Sequence, residues 1–153
     1  MESGVKRLVI LGILCLVSDS CNGGGVDPFY GGVWDVSYNL TLDECGLVGE
    51  DTLGFEDVHR INYGDSTITL VAESGILNNG VGTIRFDDSL LATEEINGDI
   101  LGNGVTCVLR SYVTYFDLRE DRASSLSVFR IDCPDDFHCS SEATGTAVRR
   151  ADA

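Results

Sequence analysis

The sequence predicts an all-β domain: about eight antiparallel strands, closed as an up-and-down barrel or packed as a sandwich. Three observations predict it. Apolar residues recur with a period of two along most of the chain, the period at which side chains on an extended backbone return to one face. Turn signals separate the alternating runs: Tyr63-Gly64-Asp65, Asn78-Asn79-Gly80, Asn97-Gly98-Asp99 and Asn103-Gly104. Asn-Gly accepts the positive φ values that tight hairpins require. No stretch carries the spacing of a long amphipathic helix, and no repeat of fixed period is present.

The clearest strand is residues 33–42, VWDVSYNLTL. Trp34, Val36, Tyr38, Leu40 and Leu42 alternate with Val33, Asp35, Ser37, Asn39 and Thr41. One face is apolar and the other almost entirely polar, which predicts a half-buried strand with those five residues facing the interior. Noisier runs follow at 57–63, 66–73, 81–87, 90–96, 105–117, 126–132 and 142–149. Pro28 and Pro134 both fall near predicted strand boundaries.

Upstream of the strands, Lys6 and Arg7 precede an unbroken apolar run, Leu8–Val17, and then Ser18-Asp19-Ser20-Cys21. A basic start, a short apolar core and small residues before a cut form the secretory signal pattern. The run is shorter than the roughly 20 residues a spanning helix needs. Ser20-Cys21 at its end resembles the cleavage site of a bacterial lipoprotein signal, whose cysteine becomes the lipidated first residue. The resemblance implies a signal peptide at 1–20, lipidation at Cys21 and a membrane-anchored protein of the bacterial cell envelope. Ordinary cleavage and soluble secretion is the alternative. Residues 21–31, with Asn22-Gly23-Gly24-Gly25, then read as a lipidated start and flexible tether, and 32–153 as the β domain.

Cysteine parity favours lipidation. With Cys15 removed and Cys21 lipidated, Cys45, Cys107, Cys133 and Cys139 remain. An even set in an oxidising compartment reads as two disulfides. Cys133 and Cys139 bracket a short polar loop, which favours pairing them with each other and Cys45 with Cys107; four cysteines allow two other arrangements. Zinc held by Cys107, Cys133, His138 and Cys139 is the competing reading, but the close C-x2-C spacing is missing. The sequence therefore points to no metal and no cofactor.

Charge excludes a class of partner. The chain carries 25 acidic residues against 10 basic, a formal net charge of −15, and its only lysine is Lys6. Without the signal the net charge is unchanged, since Glu2 and Asp19 leave with Lys6 and Arg7. Such a surface repels nucleic acid and anionic headgroups, leaving the lipid as the membrane attachment. The composition is that of a protein from a salty habitat or of one kept soluble by an acidic surface.

Gly32-Val33-Trp34, opening the first strand, resembles the Gly-x-Trp signature of lipocalins and related eight-stranded barrels. In those barrels the tryptophan plugs one end and an arginine from a late strand packs on it. The resemblance implies a small barrel with that role for Trp34, and Arg149 or Arg130 as its partner by position; it supports the barrel more than the carriage of a small apolar ligand.

Signs of catalysis are lacking. There are two histidines, His59 and His138, with no Gly-x-Ser-x-Gly elbow and no His-Glu-x-x-His. Adjacent acids such as Asp87-Asp88, Glu94-Glu95 and Asp135-Asp136 point to opposite faces of a strand and do not converge. The expected function is a non-enzymatic, acidic barrel of a cell-envelope lipoprotein holding a small apolar ligand. A filled barrel that contacts a protein partner is the alternative, and a secreted enzyme the remote one.

Overall fold

The computed structural model describes residues 28–46, 53–134 and 136–151. The signal-like segment, Cys15, Cys21 and the first part of the expected tether lie outside the described residues. Eight strands form one closed antiparallel barrel: β1 (Gly32–Asp43), β2 (Gly54–Tyr63), β3 (Ile68–Ala72), β4 (Gly80–Ile84), β5 (Leu90–Gly98), β6 (Cys107–Arg119), β7 (Arg122–Asp132) and β8 (His138–Arg149). Each strand pairs with the next in sequence, and β1 closes the ring by pairing with β8. Of barrel and sandwich, the chain is the barrel. Among the described residues, closure leaves no exposed strand edge to recruit another chain.

Alternation sets the core. Along β1, Trp34, Val36 and Tyr38 are buried while Asp35, Ser37 and Asn39 are exposed. Ile61, Leu70, Leu90, Val113, Tyr115 and Ala147 meet them from the other strands. Gly145 lies opposite Tyr38 in the β1–β8 ladder, and a Cβ there would fall 2.7 Å from the Tyr38 ring and 2.8 Å from the Ser37 carbonyl. The missing side chain is what lets the tyrosine lie across β8 to reach Ser125 on β7, its hydroxyl 2.8 Å from the Ser125 Oγ.

Leu42 departs from the expected interior set. Leu40 is opposite Ala143, but Leu42 is opposite Glu142, so the register shifts between them. This β-bulge inserts one extra residue and turns Leu42 to the outer face, where it is 37% exposed, while Asp43 comes to lie opposite the inward-facing Ser141. Leu40 remains inside, partly buried against the core.

Both disulfides form, with a pairing other than the one the loop favours. Cys45 bonds Cys139, and Cys107 bonds Cys133. The register gives the reason. Ile131 is opposite Cys139 across β7–β8, which leaves Cys133 two positions past that rung. On its other side β7 lies beside β6, where Val108 faces Asp132 and the next rung brings Cys107 to Cys133, with a Cα–Cα distance of 4.4 Å. Cys139 in turn meets Cys45, just beyond the end of β1, on the far side of β8. Each bridge thus joins neighbours in the ring, β6 to the end of β7 for Cys107–Cys133 and β8 to the end of β1 for Cys45–Cys139. The cysteines proposed as zinc ligands are consumed in these bonds, and His138 Nδ1 lies 2.9 Å from the Asp132 carboxylate instead.

The hairpin between β6 and β7 has no glycine. Asp117 and Glu120 take positive φ values of 52° and 43°, and the ladder slips between Phe116 and Arg119. β7 consequently starts at Arg122 and β8 at His138, both earlier than their alternation suggests.

Candidate functional site

The two ends of the barrel differ in how they are filled. Gly32, at the first, takes a φ of +122°, which only glycine adopts freely, and swings residues 28–31 across the opening. These residues, expected to be tether, are the plug. Tyr30 is 1% exposed. Its hydroxyl donates to the Asp88 carbonyl at 2.8 Å, and its carbonyl accepts the Trp34 indole N–H at 2.7 Å. Burial, then the negative field of Tyr63 and nearby carboxylates, pushes the Tyr30 phenol up to about 12, so it stays a neutral donor. The Arg149 guanidinium lies 4.6 Å from the Trp34 ring centroid and donates to the Phe29 carbonyl at 2.6 Å. Of the two arginines considered for that place, Arg149 occupies it. Arg130 is exposed on β7, opposite Arg110 and Ser140.

Above the plug sits a buried polar chain that the sequence reading did not single out. Asp57, His59 and Ile61 share the inward face of β2. His59 Nε2 is 3.2 Å from the Asp57 carboxylate and Nδ1 is 2.8 Å from the Tyr115 hydroxyl. Ser74 donates to Asp57 twice, from its backbone N–H at 2.9 Å and its hydroxyl at 2.6 Å. Burial pushes the Asp57 carboxyl up, but the hydrogen bonds from His59 and Ser74 outweigh it, and the group is held below the usual carboxylate range. An ionised Asp57 accepts from the Nε2–H of His59, and Nδ1 meets the hydroxyl of Tyr115, a phenol that burial keeps well above its ordinary value. Period two alone places an aspartate and a histidine on the apolar face of this strand, and that was the available signal.

The other half of the barrel is hollow. A cavity of about 420 Å³ opens there, within the range of small-molecule sites. Leu40, Phe55, Leu109 and Phe129 give it apolar walls from β1, β2, β6 and β7. They are only half-buried because they face this space. Ala143 and the loop residue Ile76 also line it. The room comes from small inward residues: Ser125 and Ser127 on β7, and Ser141, Ala143 and Gly145 on β8. Of the expected interior residues Leu40 lines the cavity, Tyr38 stacks on the wall residue Phe55 at 5.0 Å, and Trp34 and Val36 pack in the core instead.

Two of the acidic pairs have structural partners, and Asp135 of the third lies outside the described residues. Asp87 accepts from the Ser89 N–H and hydroxyl in the β4–β5 turn. Glu94 faces inward, opposite Ser111, and accepts from the Asn78 and Asn79 N–H groups, whereas Glu95 faces outward to Arg110. Among the described residues, no group of three or more His, Cys, Asp or Glu is placed to hold a metal ion. No family model, no curated protein and no solved structure matches this chain.

Proposed function

We propose that this chain is the barrel domain of a cell-envelope lipoprotein, a non-enzymatic module that takes a small apolar ligand into the open half of the barrel. The observation that carries the reading is the asymmetry of the interior: one half plugged by Tyr30, Trp34 and Arg149, the other left hollow behind apolar walls. A barrel of eight strands is narrow enough for side chains to fill. Here the side chains that would fill it are alanine, serine and glycine. The polar chain of Asp57, His59 and Tyr115 supports a binding role over a catalytic one, because its groups bond one another and neither His59 nor Tyr115 lines the cavity. The anchor rests on Ser20-Cys21 and on the even set of cysteines that remains.

Titration with N-phenyl-1-naphthylamine, a neutral apolar probe whose emission rises in a dry site, tests the cavity. Saturable binding at one site is expected, and Ala143→Phe, which fills the space, is expected to weaken it at least about tenfold with the thermal midpoint kept. Equal binding by the two proteins would place the probe elsewhere and end the cavity reading. The anchor has its own measurement: Cys21→Ser should move the protein from the membrane fraction to the soluble one, and unchanged partition would remove the lipoprotein assignment.

A further inference from the structure

The polar groups around the cavity narrow the ligand class. Ser127 points inward from β7 and is 6% exposed, and its hydroxyl faces the cavity with no hydrogen-bond partner among the described residues. The hydroxyl opens onto the cavity, where a ligand group that bonds it takes the place of water. The charges facing this half of the interior are of one sign. Ser141, in the cavity wall, donates to the Asp43 carboxylate, which the β1 bulge has turned inward. Glu142 also borders the cavity.

No arginine, lysine or histidine lines the cavity. Arg110 is on the outer face between Glu95 and Asp132, Arg130 is exposed, and Arg149 sits at the plugged end. His59 is spent on Asp57 and Tyr115. The whole chain adds a net charge of −15.

Resting on the cavity reading above, we infer that the site selects amphiphilic amines: an apolar body against Leu40, Phe55 and Phe129, and a protonated amine near Ser127 and the carboxylates behind the wall. Carboxylate amphiphiles such as fatty acids are rejected. An amine donates to the Ser127 oxygen and is drawn by the field. A carboxylate meets that field with no cation to receive it, so the discrimination has an attractive and a repulsive part.

The test is displacement of bound N-phenyl-1-naphthylamine from the wild-type protein at neutral pH by decylamine, decanol and decanoate, which share one tail and differ in the head. Decylamine is expected to bind at least about tenfold more tightly than decanoate, with decanol between them. Raising the salt concentration should narrow the gap. Asp43→Asn, which keeps an acceptor for Ser141, should narrow it at low salt. Decanoate binding as tightly as decylamine, or none of the three displacing a probe that does bind, overturns the amine selection and leaves the cavity reading standing. Failure of the probe itself to bind removes both.

Discussion

Trp34 concentrates more of the fold's stability than any neighbour on its strand. Its ring is fully buried, its N–H is satisfied by the Tyr30 carbonyl, and the Arg149 guanidinium covers it. Trp34→Ala is expected to cost about 3–5 kcal/mol, a large share of the roughly 5–15 kcal/mol that holds a domain together. Asn39→Ala, exposed on the same strand, should stay within about 0.5 kcal/mol. Urea denaturation of both variants checks the pair, and a costlier Asn39 change would contradict the face assignment. Asp57 adds a dependence on pH. Its carboxyl is held below the ordinary value of 3.8 in the folded protein. Its contribution is therefore complete above that value and is lost as the pH falls through the lower, folded one. Asp57→Asn should cost about 1–3 kcal/mol near neutrality, and the gap to wild type should shrink below pH 3.8. A gap that stays constant down to pH 2 would show that the charge is not what Asp57 contributes. At this scale Trp34, Val36 and Tyr38 were legible in the alternation, because a buried side chain on a regular strand needs only its parity. Tyr30 was not, since its burial depends on a positive φ at Gly32 that sends the chain back across the barrel end.

Among the elements, β1 shows what alternation encodes and what it omits. The pattern of residues runs unbroken to Leu42, but the ladder shifts after Leu40, and no residue in Leu40-Thr41-Leu42 announces a bulge. The β6–β7 hairpin was hidden for a related reason: its positive φ values fall on Asp117 and Glu120 rather than on glycine. Small-residue strands were the hardest to delimit. β8 alternates Ser141, Ala143, Gly145 and Ala147 inward, a face that leaves space instead of filling it, and so the cavity wall escaped a reading that looked for large apolar residues. The cysteine pairing depends on ring neighbours and is absent from local spacing. Its energetic consequence follows from the chain length each bridge closes, 94 residues for Cys45–Cys139 and 26 for Cys107–Cys133. On the chain-entropy estimate these are worth about 4.7 and about 3.5 kcal/mol. Replacing both cysteines of the longer bridge with alanine should therefore destabilise by roughly 1 kcal/mol more than replacing those of the shorter, as read from denaturation midpoints at equal m. The reverse order would show that native contacts at the bridges outweigh their effect on the unfolded chain.

For the molecule as a whole, the count of strands and their antiparallel order were readable from period two and from the Asn-Gly turns. The choice of barrel over sandwich was not, because it rests on one pairing, β1 with β8, between residues about as far apart as the fold allows. The net charge of −15 acts at this scale too. Ion pairs such as Arg60–Glu73 and Arg150–Asp35 engage a few acids on the outer surface, and the rest repel one another in the compact state. Raising sodium chloride from about 0.1 to 1 M shortens the screening length from about 10 to 3 Å. The thermal midpoint should then rise by about 3–6 °C, the equivalent of roughly 1 kcal/mol. A midpoint that falls or stays level would show that the acidic surface carries no penalty.

The nested order of the disulfides has a consequence for how the protein is made. A chain emerges from its N terminus, so an oxidant that joins each cysteine to the next one to appear would form Cys45–Cys107 and then Cys133–Cys139. Neither is native. Cys45 must wait, reduced or wrongly paired, until the chain has been completed as far as β8, the same strand that closes the ring. Biosynthesis of this barrel thus calls for a thiol–disulfide reshuffling partner or for folding to precede oxidation. A host that supplies only fast, sequential oxidation should accumulate a soluble-length chain with the correct mass, no free thiols and no barrel.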